Sequence, residues 1–161
     1  MTGVRRQVEA VLRGRPSARS GWLVVACGLA YGAVMGSFGG RPGQAFVSAV
    51  KVPLLLLTTV ALSLPSFFVL NTLLGVRSDF AAALRGLIAS QAGLTIILIS
   101  LAPLTAFWYA SSSDYRSAIL FNAGMFAVSS VGSQWLLRRA YRPLVARNAR
   151  HRWLLRAWLV L

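Results

Sequence analysis

Acidic side chains are almost absent from this chain. Its 161 residues include only three carboxylates, Glu9, Asp79 and Asp114, and a single histidine, His151. All four lie outside the long apolar runs, so the sequence offers no carboxylate pair or acid–base dyad for catalysis. No HExxH, GxSxG or phosphate-binding P-loop motif occurs. We therefore predict that the protein is not an enzyme and has no catalytic or cofactor-binding residues.

Cysteine is equally scarce, because Cys27 is the only one. A single cysteine excludes an internal disulfide. Cys27 lies in the middle of an apolar run, whereas His151 lies in an arginine-rich segment far along the chain. These two side chains cannot share a metal ion, so we predict no metal site.

Charge is low and apolar residues are abundant. Charged residues make up 12% of the chain and hydrophobic residues 57%, and the mean hydropathy is +0.65. A water-soluble domain is about 25% charged and has a smaller apolar fraction. A chain with so little polar surface could not cover a globule in water, so the composition predicts that the protein faces lipid.

Four apolar runs have the length of a membrane span. Each has about 20 to 24 residues, which as a helix reaches the roughly 30 Å thickness of the hydrocarbon core. They lack the alternation of a membrane β-strand. We predict an all-α integral membrane helical bundle with four transmembrane helices plus a truncated or interfacial fifth. The four-span domain covers 21–137, and its spans are 21–40, 52–75, 87–110 and 118–137.

The basic residues predict the orientation of these spans. Thirteen arginines flank them on one side, five before residue 20, two between 76 and 86 and six between 138 and 152. The other side has three basic residues, Arg41, Lys51 and Arg116. Positively charged short loops stay in the cytoplasm. We therefore expect a multi-pass protein of the bacterial inner membrane with both ends of the four-span unit cytoplasmic, and a basic cytoplasmic segment at 1–20.

The net charge of +14 has a simple explanation in this arrangement. Basic residues that flank spans bind anionic lipid headgroups, whereas a nucleic-acid-binding protein concentrates them on a soluble face. We expect a lipid partner and no nucleic acid. The predicted headgroup contacts are Arg138, Arg139, Arg142, Arg147, Arg150 and Arg152.

Glycine recurs every fourth residue in the first apolar run, at Gly28, Gly32, Gly36 and Gly40. This spacing places the four glycines on one helix face, and a face without side chains lets another helix approach closely. Two interpretations are open. The ridge packs either against another helix of the same chain or against a second chain, in a homo-oligomer or with a membrane-protein partner.

Proline interrupts the second and third runs, at Pro65 and Pro103. A proline within a helix frees a carbonyl and predicts a kink. The surrounding sequences, TTVALSLPSFF and TIILISLAPLTAF, share a weak repeat. Kinks without a ligand are one interpretation, and a transporter-like repeat of interrupted helices is the other. The uncharged polar residues of the spans either line a small pore or bond between helices; they are Asn71, Gln91, Asn122, Ser129, Ser130, Ser133 and Gln134.

The two ends of the chain carry further helical patterns. Residues 4–13 place apolar side chains on one stripe, which predicts either a short interfacial helix or a frayed tail. Residues 138–161 form a predicted basic cytoplasmic loop that leads into the apolar, tryptophan-bearing WLLRAWLVL. This last stretch is too short to cross a membrane. It is either an interfacial helix or an incomplete fifth span.

A family resemblance adds to this description. The stretch KVPLLLLTTVALSLPSFFVLNTLLG, Lys51 to Gly75, precedes a proline-bearing third run, a basic loop and a tryptophan-rich last segment. Residues 51–161 thus resemble a family of bacterial polytopic inner-membrane proteins, broadly similar to the five-span Yip1-like membrane proteins. In that family the last helix is complete, so the resemblance implies a truncated fifth helix here.

The resemblance also implies a scaffolding or trafficking-type role in the membrane. With the residue patterns, it leads to two functional hypotheses. The first is a non-enzymatic scaffold or accessory membrane subunit. The alternative is a small transporter or channel protomer.

Overall fold

A computed structural model describes residues 2–12, 21–40, 42–73, 75, 79–147, 152–153 and 155–156. All regular structure within these residues is helical, so the all-α prediction is confirmed. The five α-helices are α1 (Thr2–Leu12), α2 (Gly21–Gly36), α3 (Pro42–Leu73), α4 (Phe80–Ser111) and α5 (Tyr115–Arg147). A short 3-10 helix, Phe38–Gly40, follows α2.

The helices pack in the order α3, α2, α4, α5. Gly28 and Gly36 of α2 face Pro53 and Ala45 of α3, so these two helices are antiparallel. The α4–α5 pair is also antiparallel, with its glycines facing residues of the opposite helix. In contrast, α2 and α4 are parallel, because Leu23 lies near Thr95 and Met35 near Tyr109.

These directions place α1, the starts of α2 and α4 and the far ends of α3 and α5 at one end of the bundle. We call this the arginine end, because Arg85, Arg138, Arg139 and Arg142 all lie there. The opposite end contains the end of α2, the start of α3 and the loop between α4 and α5. The chain enters α2 and leaves α5 at the arginine end.

Helix α2 is shorter than the predicted span of 21–40. It ends at Gly36, and the backbone then turns through Gly39 and Gly40, whose φ angles are +76° and +68°. Only glycine adopts such angles without steric cost. The 16 residues of α2 reach about 24 Å.

Helix α3, in contrast, begins ten residues before the apolar run predicted for 52–75. Ala45, Ser48 and Ala49 are half-buried at helical spacing and lie against α2. This packing keeps the segment helical, so Lys51 lies within α3 and not in a connecting loop.

Helix α5 likewise continues past the predicted span end at residue 137. Leu136, Leu137, Tyr141 and Leu144 are buried at helical spacing, while the arginines between them are exposed. The sequence is therefore amphipathic here. The basic loop predicted from residue 138 is instead helix as far as Arg147.

Two helices, α3 and α4, are long and apolar enough to cross a membrane. Helix α2 is equally apolar but shorter, and α5 combines an apolar half with polar and arginine-bearing turns. Of the most apolar 18-residue stretch of each candidate, 56% is buried within the protein in α4 and 28% in α3. Helix α4 is therefore central, and α3 exposes most of its apolar side chains.

The short helix predicted near the N-terminus forms as α1. Val11 is 1% exposed and Val8 packs against the same apolar cluster, which includes Leu23 and Val24. Arg5 and Glu9 form an ion pair of 3.3 Å on the outer face. Packing against α4 stabilises a helix that would be marginal in isolation.

Candidate functional site

Three of the four predicted ridge glycines form the contact between α2 and α3. A Cβ atom built on Gly28 would lie 3.1 Å from Pro53 Cβ, and one on Gly36 would lie 2.6 Å from Ala45 Cα. On Gly32 it would lie 2.7 Å from Ala49 Cα. Real Cβ atoms do not approach other atoms as closely as at Gly32 and Gly36, so the two backbones touch there only because these residues are glycine.

The fourth ridge residue lies apart from this contact. Gly40 is exposed, and a Cβ built on it would have no neighbour within 4 Å. Gly28, Gly32 and Gly36 are buried beneath α3. The glycine face is therefore occupied by a helix of the same chain.

A chain of polar groups joins α2, α4 and α5 near the opposite end. Tyr31 Oη donates to Asn122 Oδ1 at 3.2 Å, and Asn122 Nδ2 donates to Tyr109 Oη and to the Ala118 carbonyl. Tyr109 Oη in turn donates to the Met35 carbonyl at 3.1 Å. Each donor in this polar chain has an acceptor, so the groups fix the relative positions of three helices.

Sequence reasoning identified Asn122 as a polar residue of the fourth run but missed both tyrosines. A tyrosine within an apolar run needs a partner for its hydroxyl when buried, and that is the signal that could have found them. Tyr31 is 0% exposed and meets Phe126 edge-to-face at 5.8 Å.

A pocket of about 560 Å³ lies beside this polar chain. It opens between the first turns of α3 and α5. Among the described residues, Lys51 is the one charged side chain in its lining. The lining residues include Met35, Phe38, Gly43, Gln44, Val47, Ser48, Lys51, Tyr109, Tyr115, Ala118, Ile119 and Asn122.

The predicted kink residues lie outside the pocket. Helices α3 and α4 continue through Pro65 and Pro103, and both prolines are exposed. Nearby hydroxyls bond to carbonyls one turn back, Ser63 to Thr59 at 2.8 Å and Thr105 to Leu101 at 3.5 Å.

The other predicted polar residues do not converge on one channel. Asn71 and Ser133 donate to carbonyls of their own helices, at 2.9 Å each. Within the described part of the chain, Asn71 Oδ1, Gln91 Oε1 and Ser129 Oγ are buried without a hydrogen-bond partner.

The predicted headgroup contacts lie at the arginine end. Arg138, Arg139 and Arg142 are exposed on the last turns of α5, and Arg152 is exposed beyond them. The guanidinium of Arg139 lies 5.5 Å from the centre of the Trp135 ring. The Arg147 side chain and the whole of Arg150 lie outside the described residues.

The comparisons with known proteins add no family. No protein-family model, curated protein or solved structure matches the chain. The Yip1-like resemblance therefore stays a prediction.

Metal-ligand types do not cluster in the part of the chain that the structure describes. No three His, Cys, Asp or Glu side chains come together there. Cys27 is half-buried in the apolar cluster around α2. The absence of enzymatic activity stays a prediction, and the pocket beside Lys51 is the candidate functional site.

Proposed function

We propose that the chain is a non-enzymatic multi-pass protein of the bacterial inner membrane that acts as a scaffold or accessory membrane subunit. In this proposal α2, α3, α4 and α5 all cross the bilayer. The observation that carries it is the large apolar surface on the outer faces of the bundle. Leu62 and Leu73 of α3 are 75% and 77% exposed, and Leu120 and Val131 of α5 are 72% and 70% exposed.

An apolar surface of this kind favours a lipid environment over water. Soluble monomers rarely expose a contiguous apolar patch larger than a few hundred Å². Lipid removes the free-energy cost of exposing apolar side chains to water, because lipid tails are as apolar as leucine. The exposed large apolar side chains of α3 alone are Phe46, Val47, Val50, Leu54, Leu55, Leu57, Leu62, Phe68, Val69 and Leu73.

The charge distribution along the bundle supports the proposed orientation. Arg85 and the α5 residues Arg138, Arg139 and Arg142 lie at the arginine end, whereas Lys51 and Arg116 lie near the opposite end. By the positive-inside rule, the arginine end faces the cytoplasm. Both ends of the four-span unit are then cytoplasmic.

The short α2 fits this arrangement as well. Its length of about 24 Å is less than the roughly 30 Å of the hydrocarbon core, and local thinning of the bilayer accommodates such a span. Its central position between α3 and α4 shields much of it from lipid.

The short connections support a scaffold or accessory role. Only residues 112–114 separate α4 from α5, and residues 37–41 separate α2 from α3. The four-helix unit therefore carries no folded soluble domain between its helices. A partner protein would meet it mainly through its lipid-facing sides.

Labelling of introduced cysteines tests the topology. In a Cys27→Ser background, Ser113→Cys and Arg142→Cys each place one thiol at an opposite end of the bundle. A membrane-impermeant maleimide added to intact spheroplasts should label position 113, and should label position 142 only after lysis. Equal labelling at both positions in intact cells, or recovery of the protein in the detergent-free supernatant, would contradict the proposal.

The pocket favours a second candidate, the small transporter or channel protomer. It opens to one end of the bundle and reaches polar groups of three helices. Purified protein in liposomes would then transport a solute, and Asn122→Ala would abolish the flux while the exposed Ser113→Ala would not. If the flux is equal in the parent protein, Asn122→Ala and Ser113→Ala, or is absent, the transporter or channel candidate is excluded.

A further inference from the structure

Lys51 is a basic residue within an apolar part of α3. It lies nine residues after Pro42, about 14 Å along the helix. Phe46, Val47, Val50 and Leu54 surround it and are 73%, 61%, 43% and 61% exposed. An ammonium group in such surroundings needs an anionic or polar partner when the helix lies in a membrane.

The described protein supplies no carboxylate for this ammonium group. No Asp or Glu oxygen of the described residues lies within 4.0 Å of the Lys51 ammonium nitrogen. The acidic residue near this end is Asp114, and its carboxylate accepts hydrogen bonds from the backbone of α5. The positive charge at the pocket is therefore uncompensated.

The pocket offers further groups that favour an anion. Gln44 and Tyr115 line it with side-chain hydrogen-bond donors. Gly43 and Gln44 also belong to the first turn of α3, where backbone N–H groups lack partners within the helix. The positive end of the helix dipole adds to the attraction.

An apolar groove continues from the pocket along the outer face of α3. It has a volume of about 330 Å³ and is lined by Phe46, Val47, Val50, Lys51 and Leu54. Val47 and Lys51 line both the groove and the pocket, so the two hollows share a wall. A ligand that fills both must have an anionic head and an apolar tail.

We propose that this composite site binds the anionic headgroup of a membrane lipid at Lys51, with one acyl chain along the groove of α3. The inference rests on the proposed membrane location. It places a specific lipid at the end opposite the arginine end, in the other leaflet from the predicted arginine contacts. A free soluble anion would leave the apolar groove empty.

Photocrosslinking in vesicles tests the site directly. The full chain is reconstituted in phosphatidylcholine vesicles that contain a small fraction of phosphatidylglycerol with a diazirine in one acyl chain. After irradiation, mass spectrometry should locate adducts in residues 43–54. Their yield should exceed that of the matching phosphatidylcholine probe about fivefold, the effect of one basic residue at a membrane surface.

Two variants remove different parts of the site. Lys51→Gln removes the charge and should reduce the phosphatidylglycerol preference at residues 43–54 to that of the neutral probe. Gly43→Leu should reduce the adducts by filling the pocket, and it is tolerated because a Cβ there meets nothing within 4 Å. The matched controls are Arg116→Gln, an exposed basic residue outside the pocket lining, and Gly124→Leu, an equally open glycine of α5.

The outcomes separate this inference from the proposed function. A protein that does not float with the vesicles in a density gradient contradicts the membrane location itself. A protein that floats but shows equal adducts from both probes, or a preference unchanged in Lys51→Gln, overturns the lipid site alone. Inorganic phosphate at millimolar concentration should leave the adducts unchanged, and competition by it would show that the site recognises a soluble anion instead.

Discussion

The two antiparallel helix pairs of this bundle both depend on glycine, but in different ways. In the α2–α3 pair, Cβ atoms built on Gly32 and Gly36 would collide with the backbone of α3. In the α4–α5 pair, a Cβ on Gly132 would lie 2.6 Å from Ile97 Cδ1, and one on Gly93 would meet Leu136 Cδ1. The first contact is backbone against backbone. The second is backbone against the ends of flexible side chains.

The difference determines how each pair responds to change. A backbone cannot move by an ångström without moving its whole helix, whereas a leucine terminus changes rotamer. Overpacked sites cost about 1–3 kcal/mol when the neighbours cannot relax, and less when they can. The α2–α3 pair is therefore the rigid part of the bundle, and α4–α5 is the adaptable part.

Among the glycine-to-alanine variants, the largest effect is expected at Gly32. Gly32→Ala should lower the free energy of unfolding by about 2–3 kcal/mol, because its methyl group would overlap the Ala49 backbone. The measurement is unfolding of the purified protein in mixed detergent micelles. Ala49→Gly should not rescue it, since the collision is with Cα and backbone atoms.

The control for this variant is Gly124→Ala on the open face of α5. A Cβ there has no neighbour within 4 Å, so the better helix propensity of alanine should leave stability unchanged or raise it by up to about 1 kcal/mol. Equal stability of Gly32→Ala and Gly124→Ala would refute the close backbone contact.

The α2–α3 contact shows what the sequence could reveal. A spacing of four residues puts Gly28, Gly32 and Gly36 on one face by helix geometry alone. The pattern could not identify the partner helix, because that depends on the turn after Gly36. It also included Gly40, which lies beyond the end of α2 because the backbone turns through Gly39.

The α4–α5 contact and the candidate pocket were harder to predict. Gly93 and Gly132 lie on different helices and in no four-residue glycine repeat, and the groups of the polar chain, Tyr31, Tyr109 and Asn122, are separated in sequence. Hydropathy locates long apolar runs, but it misses helical extensions that also contain polar residues. The start of α3 contains Gln44 and Ser48 and the end of α5 contains arginines, so neither extension was predicted and Lys51 was expected in a loop.

A smaller effect is expected for the adaptable pair. Gly93→Ala should lower the free energy of unfolding by less than about 1 kcal/mol, because Leu136 can move its terminal methyl group away. Leu136→Ala alone should cost about 2–5 kcal/mol through the cavity that it leaves. In the double variant the new methyl group lies beside that cavity, so the combined loss should be smaller than the sum by about 0.5 kcal/mol or more. Strictly additive losses of stability in the double variant, or a loss for Gly93→Ala as large as for Gly32→Ala, would contradict the distinction between the two helix pairs.

The smallest effect concerns the connection within the adaptable pair. Asp114 precedes α5 and accepts backbone hydrogen bonds from Ser117 at 3.0 Å and Arg116 at 3.2 Å. These bonds lower the pKa of Asp114 below its usual value of 3.8. A carboxyl group with a lowered pKa stabilises the folded state above its unfolded pKa, and this contribution disappears as the pH falls through the folded value.

The pH dependence of stability therefore measures the contribution of Asp114 as the N-cap of α5. Asparagine is also a good N-cap but does not titrate. Asp114→Asn should match the parent protein in acid below the lowered pKa and be slightly less stable than it near neutral pH, since an amide accepts weaker bonds than a carboxylate. Asp114→Ala should be less stable than the parent near neutral pH. It should also lack the fall in stability that protonation of Asp114 causes in the parent protein at acid pH. The measurement is thermal unfolding in detergent at both pH values. Few other groups contribute to the acid response, because Glu9 and Asp79 carry the only other side-chain carboxylates. A step that persists unchanged in Asp114→Asn would assign it to one of those two residues and show that the start of α5 does not depend on the Asp114 charge.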